Sequence, residues 1–277
     1  MLVTYRASAP LTADWRHFRL AVEDGVATVT FDRPDRLNAL TIDVYADLRD
    51  LMTELEHHDD VAVVVLAGEG RGFCSGGDVN DIIGRLIEGG DQRDVLEFTR
   101  MTGAVVQRMR ELPKPIIAAV NGVAAGAGAV IALAADFRLL ARSASFRFLF
   151  TSVGLAGADM GCAWLLPRLV GLGRATEILM LGERVPAEEA ERWGLATRVY
   201  DDDRLPGEAA ALARRLAEGP TFAYSATKLL LTREADMSLQ SAIELEAWTQ
   251  AYLMRSADHA EFFRAFSEGR RPAWRGR

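Results

Sequence analysis

The sequence predicts an α/β fold, and three observations carry that prediction. Strand-like stretches rich in β-branched residues alternate with stretches whose apolar residues recur at helical spacing. The central strand-like stretches are apolar throughout, as strands covered on both faces are. Two of them run into glycine-rich turns that lead toward helix starts.

Taken in order, "FRLAVEDGVATVTFDRP" (18–34) is two alternating runs about a Glu-Asp-Gly turn and reads as a β-hairpin. "TIDVYADLRDLMTELEHHDD" is helical, with Thr41 placed as its N-cap. "VAVVVLAGEG" (61–70) is a buried strand ending at glycine. The polar, glycine-containing segment 80–95 reads as a mobile loop or a short helix. "DVLEFTRMTGAVVQRMREL" is a helix that stops before Pro113. "PIIAAVNG" is again a buried strand, "AAGAGAVIALAAD" opens a helix, and "FRLLARSASFRF" returns to extended chain. Helices are then expected at 161–181, 186–193, 205–218, 220–232 and 238–256. This divides the chain into a core over 1–200 and a helical region over 201–277, with no Pro-, Gly- or Ser-rich linker between them.

Of the 277 residues, 49% are apolar and 26% charged, and the net charge is −7. That balance argues against a nucleic-acid partner, which calls for a basic face. Two cysteines, Cys74 and Cys162, make neither a disulfide framework nor a zinc signature, so a reducing cytoplasm is expected and no metal site. The first residues lack the pattern of a signal peptide. The longest apolar stretch, "AAVNGVAAGAGAVIALAAD", contains Asn121 and is rich in Gly and Ala. It reads as strand, turn and helix, and no membrane association is expected.

The chemistry is expected in the two glycine-rich turns, "GRGFCSGGDVND" (70–81) and "VNGVAAGAGAVI" (120–131). Small residues there let a ligand approach the backbone, and the following helix starts carry unpaired N–H groups. Facing each other, two such turns would offer two donors to one oxygen, an oxyanion hole whose donors are typically worth about 3 to 4 kcal/mol each. A dinucleotide fingerprint fails because Ile131 stands where Gly or Ala is needed. Ser75 has no nucleophile elbow, and none of the four histidines lies in either turn. An oxyanion hole without a nucleophile–histidine pair suits reaction through an enolate, with a carboxylate moving the proton. One carboxylate, Asp159, stands among small and apolar residues in "SVGLAGADMGCAW". It reads either as that acid/base or as the N-cap of the helix that follows.

The motifs "FDRPDRLNAL", "GRGFCSGGDV", "LPKPIIAAVNGVAAGAGAVIALAADFRLLARSASF", "LLPRLVGLGRATEILMLGERVPAEEAERWGLATRV" and "FFRAFSEGRRPAW" together resemble the enoyl-CoA hydratase/isomerase (crotonase) family from about Phe18 to Trp274. The resemblance implies a spiral of ββα units with a helical C-terminal trimerisation region, assembled as a homotrimer or dimer of trimers. It implies an acyl-CoA substrate, with coenzyme A as part of the thioester and no separate cofactor. Carried over, the oxyanion-hole donors are the N–H groups of Gly77 and Ala127. Coenzyme A lies against Arg36, Leu37 and Ala39 and along Cys74, Gly77, Asp78, Val79 and Asn80. Asn80 stands where some relatives carry a lysine near the phosphates; Arg36, Lys228 or the C-terminal arginines are the replacements considered. Asp78 is expected to fix the turn.

The two glutamates of the usual hydratases fall on Val130 and Phe150, so that pair is absent. Dienoyl-CoA isomerases of the family carry an aspartate in a similar loop, which here reads "GLAGADMG" and supplies Asp159. A pocket of Phe148, Phe150, Met160 and Trp164 is expected to raise its pKa. Hydration or double-bond isomerisation of an enoyl-CoA follows, with Asp159 as sole acid/base. The alternatives are another enolate reaction (hydrolysis, decarboxylation, C–C cleavage) or a non-catalytic acyl-CoA-binding paralogue.

Overall fold

The computed structural model describes residues 11–12, 14–84 and 91–276. Strands β1 (Phe18–Glu23) and β2 (Val26–Phe31) pair antiparallel across Asp24 and Gly25, both at positive φ, the hairpin the sequence predicts. Helix α1 (Ile42–Glu56) starts at Thr41, whose side chain accepts from Val44 N–H. Its buried face is Val44, Tyr45, Leu48, Leu51, Met52 and Leu55.

Three successive units then repeat one plan. β3 (Val63–Gly68), β5 (Ile116–Val120) and β7 (Phe137–Ala141) enter a six-stranded sheet of order β1-β2-β3-β5-β7-β10. Each is followed by a three-residue strand in a second sheet: β4 (Gly72–Cys74), β6 (Val123–Ala125) and β8 (Ser145–Arg147). That sheet runs β4-β6-β8-β9 and closes antiparallel on β9 (Arg184–Pro186). β4 and β6 lie in the two stretches read as glycine-rich turns, where small residues hide the period-2 signal, and β8 lies in "FRLLARSASFRF", read as extended chain. Stacking unit on unit keeps the same neighbours in both sheets, with β3 on β5 on β7 and β4 on β6 on β8, all parallel. This is the ββα spiral the resemblance implies. β10 (Arg198–Tyr200) closes the large sheet beside β7.

Of the segment 80–95, residues 85–90 lie outside the described residues. Val79–Gly84 form a π-helical turn, and α2 (Gln92–Glu111) begins at a capping box built by Asp91 and Asp94. Helix α3 (Ala127–Ala134) is buried along its whole length. The helix expected at 161–181 is two: α4 (Cys162–Val170) and α5 (Leu172–Leu181), broken at Gly171 with φ 77°. α6 (Ala187–Arg192) follows β9. α7 (Leu205–Ala217) packs onto β2, β3, β5 and β7. α8 (Thr221–Arg233) and α9 (Leu239–Leu253) match the expected helices. A further helix, α10 (Ala257–Glu268), capped by Ser256, was not expected, because its aromatic residues lie on an outward face.

The C-terminal arginines are not all free. Arg270 pairs with Glu261 and Glu268, and Asp258 accepts the N–H groups of Arg275 and Gly276, so the tail folds back on α10. Among the described residues no helix is long and apolar enough to cross a membrane.

Candidate active site

The two glycine-rich turns meet. Gly76 has φ 93°, and a Cβ on it would stand 2.8 Å from the carbonyl oxygen of Ala125 and 3.3 Å from the nitrogen of Ala127. Only glycine permits both that conformation and that approach. A Cβ at Gly128 would overlap the carbonyl oxygen of Cys74, so the first turn of α3 is seated directly on β4. Leu40 N–H donates to Gly76 O, and Asp78 N–H donates to Leu40 O, which brackets Gly77 and leaves it exposed. Neither Gly77 N–H nor Ala127 N–H, the first of α3, has an acceptor among the described residues. The turns therefore bring together the two donors read from the sequence.

The neighbouring residues hold this arrangement. Asp78 accepts from Arg33 at 3.0 Å and from the N–H groups of Asn80 and Asp81. Burial alone would raise its pKa, but these hydrogen bonds and the Arg33 charge outweigh it and lower it. Asn38, 1% exposed and at φ 57°, donates to the carbonyls of Glu69, Gly72 and Phe73 and accepts from Arg33 N–H. It ties the 33–40 loop to the first glycine-rich turn. Arg36, Val79 and Asn80 are exposed along the rim, with Leu37 half-buried and Ala39 beneath. Cys74 is wholly enclosed, its thiol pushed up to about 12 by burial, so it supports the turn from behind and offers no surface.

Lys228 does not serve a phosphate. It is buried, ion-paired with Asp136 at 2.8 Å, and donates to Met109 O and Lys114 O, which uses all three of its protons.

Asp159 is half-buried, on the segment between β8 and α4. Its Oδ1 accepts from Met160 N–H at 2.8 Å, with Met160 at φ 50°. Its Oδ2 has no hydrogen-bond partner among the described residues. The carboxylate does not cap α4: the N-cap is Gly161, with no side-chain bond, and Cys162 N–H is met by the main-chain oxygen of Asp159. Burial raises the Asp159 pKa, and the Met160 N–H offsets part of that rise.

The expected aromatic pocket needs correction. Phe148 is 0% exposed and stacks on Phe146, so it lines no space a ligand can enter. Phe150 and Met160 keep a little accessible surface, and Trp164 lies under the Arg168 guanidinium. Val130 is fully buried in α3.

Tyr45 was missed. Its hydroxyl lies 3.5 Å from where a Gly77 Cβ would stand, and its pKa is raised by burial and then by the fields of Cys74 and Asp159. Within α1 it reads as one more residue of the apolar face, and no sequence signal separates it from a core aromatic.

The sequence and the stacked ββα units have counterparts among known proteins. The family model for enoyl-CoA hydratase/isomerase matches residues 21–277. A 1,2-epoxyphenylacetyl-CoA isomerase from Escherichia coli K12 is 40% identical over 258 residues, covering 92% of this chain and 97% of that protein. A trans-2-decenoyl-[acyl-carrier-protein] isomerase from Streptococcus mutans is 30% identical, covering 95% of this chain and 100% of that protein. A crystal structure from Streptomyces coelicolor A3(2), assigned to the enoyl-CoA hydratases, superposes with a TM-score of 0.96 at 58% identity, with full coverage of both chains. Sequence, fold and the matched span agree: the chain belongs to the enoyl-CoA hydratase/isomerase family and is an enzyme of that family.

Proposed function

We propose that the chain moves a proton on an enoyl-CoA thioester, with Asp159 as sole acid/base and the N–H groups of Gly77 and Ala127 holding the thioester oxygen. As the enolate forms, charge grows on that oxygen, which the two unpaired donors would hold without having to break other hydrogen bonds. Asp159 takes a proton from one carbon and returns it to another, which is double-bond isomerisation. Burial that raises its pKa makes it a stronger base once ionised. Hydration is the second reading, and it asks one carboxylate both to activate water and to deliver a proton to carbon. The observation that carries the proposal is the Asp159 carboxylate itself, held through one oxygen and open at the other. The relative at 40% identity is named an isomerase and the structure at 58% identity a hydratase, so the names support both readings and the single carboxylate is what favours isomerisation.

Coenzyme A would run along the rim formed by Arg36, Leu37, Ala39 and Gly77 to Asn80. The phosphates would fall to Arg36 in the absence of a lysine at Asn80. No separate cofactor enters this scheme. The active assembly is taken to be a homotrimer or dimer of trimers, supported by the apolar residues left exposed on α9 and α10, among them Trp248, Phe263 and Phe266.

Replacing Asp159 with Asn tests the reading. Across a panel of 2-enoyl- and 3-enoyl-CoAs, the variant should lose about 10²- to 10⁴-fold in kcat, the usual contribution of a positioned acid/base. Exchange of the acyl α-proton in D₂O, followed by NMR, should stop with it. Undiminished turnover or exchange in Asp159→Asn would overturn the assignment.

A further inference from the structure

Tyr45 carries an unmet hydrogen-bonding obligation at the edge of the site. Its ring is held on α1, 3% exposed, edge-on to Phe98 with centroids 6.0 Å apart and planes at 86°. The hydroxyl therefore has one direction, and that direction is toward Gly77. Tyr hydroxyls taken out of water ordinarily find a partner. This one has none among the described residues. Nor is it sealed: the enclosed side-chain polar atoms without a partner are Arg110 Nε, Asn121 Oδ1 and Glu234 Oε1, and the Tyr45 oxygen is not among them. It thus opens onto space that solvent or a ligand reaches. The other side chain beside Gly77 is Ile82, which offers no acceptor.

Filling the site with an acyl chain displaces solvent from this hydroxyl. A hydrocarbon chain would leave the donor unpaired, whereas a chain bearing an oxygen near the carbonyl would satisfy it. The Asp159 carboxylate makes no hydrogen bond to it here, being held by Met160 N–H. We infer that Tyr45 is a specificity-determining residue whose hydroxyl donates to an oxygen carried on the first carbons of the acyl group, so that the enzyme favours oxygenated acyl-CoA thioesters over hydrocarbon ones. The inference rests on the thioester lying at Gly77, as proposed above, and not on Asp159 being the base.

The test uses two unreactive, nearly isosteric probes: butanoyl-CoA and methoxyacetyl-CoA, in which an ether oxygen replaces the third carbon. Neither has a double bond to move or hydrate, so binding is read apart from catalysis. Calorimetric dissociation constants are measured for the wild type and for Tyr45→Phe, which removes one oxygen and keeps the ring on Phe98. The ratio of the two constants should favour the ether in the wild type, and Tyr45→Phe should shift that ratio toward butanoyl-CoA by about five- to tenfold, the effect of one hydrogen bond. A ratio that differs by less than twofold between the two proteins overturns the inference. So does a shift in which both probes weaken equally. A thermal midpoint unchanged within a few degrees shows that Tyr45→Phe is folded. Loss of binding of both probes to wild type would instead remove the thioester from Gly77, and the proposed function with it.

Discussion

At the residue scale, Asp159 is under opposing influences, and their balance is measurable. Burial disfavours its ionised form, while one N–H, from Met160, favours it. Its folded pKa is raised above the unfolded value of about 3.9. Between those two values the native state holds the extra proton, so stability falls as pH rises through the folded pKa. Asp159→Asn removes that loss. The variant should therefore unfold at a higher temperature than wild type at pH 7, with the gap shrinking as pH falls toward 4, as scanning calorimetry at both pH values would read. With Asp159 as the proposed base, the same shift would set the acid limb of kcat/KM, which should lie above the range of an ordinary aspartate, because that base must be ionised to act. In the proposed role, stability and activity would pull in opposite directions at this one side chain. Met160 contributes through its backbone: a non-glycine residue at φ 50° stores strain, and its N–H fixes Oδ1.

At the element scale, the site is the contact between β4 and the first turn of α3. Gly128→Ala should push α3 off Cys74, because the added methyl would stand 2.2 Å from the Cys74 carbonyl oxygen and 2.7 Å from its Cβ, neither of which can swing aside. A loss of about 1 to 3 kcal/mol is expected from overpacking. Turnover should fall by more than that stability loss explains, because Ala127 N–H moves with the helix. Urea unfolding set beside kcat in the same buffer separates the two effects. This contact was legible in the sequence as two glycine-rich turns, and so were the hairpin, the buried strands and the Thr41 cap. β4 and β6 were not, since three residues within a glycine-rich turn carry no alternation to read, whereas β8 falls within the stretch read as extended chain. The split of 161–181 into α4 and α5 was also hidden, because apolar spacing continues through Gly171 and only its backbone angle breaks the helix. Tyr45 escaped for another reason: its meaning lies in what its hydroxyl fails to touch, and spacing records only what its ring buries.

At the scale of the whole molecule, α9 and α10 leave large apolar side chains uncovered, with Trp248 71% and Phe266 77% exposed. A surface of that kind asks for a partner, and a second copy of the chain is the proposed one. Phe263→Glu with Phe266→Glu should shift the molecule to a smaller species in light scattering while circular dichroism stays that of a folded α/β protein. The tail behind these helices is fastened by Glu261, whose carboxyl is lowered to about 2, first by the Arg270 hydrogen bond and then by the Ala273 N–H. That fastening holds above the ordinary glutamate range and weakens as pH falls toward 2. The position of Asp159 has a longer-range consequence. On the proposed function, the donors for the oxygen are main-chain N–H groups fixed where α3 meets β4, while the carboxylate sits on a short segment outside the strands of the described residues. In that reading, grip and tool lie on separate pieces of the chain. On the same reading, a handful of exchanges between β8 and α4 would hand the same scaffold a new reaction, and lineages built on it are expected to differ in that segment before they differ where α3 meets β4.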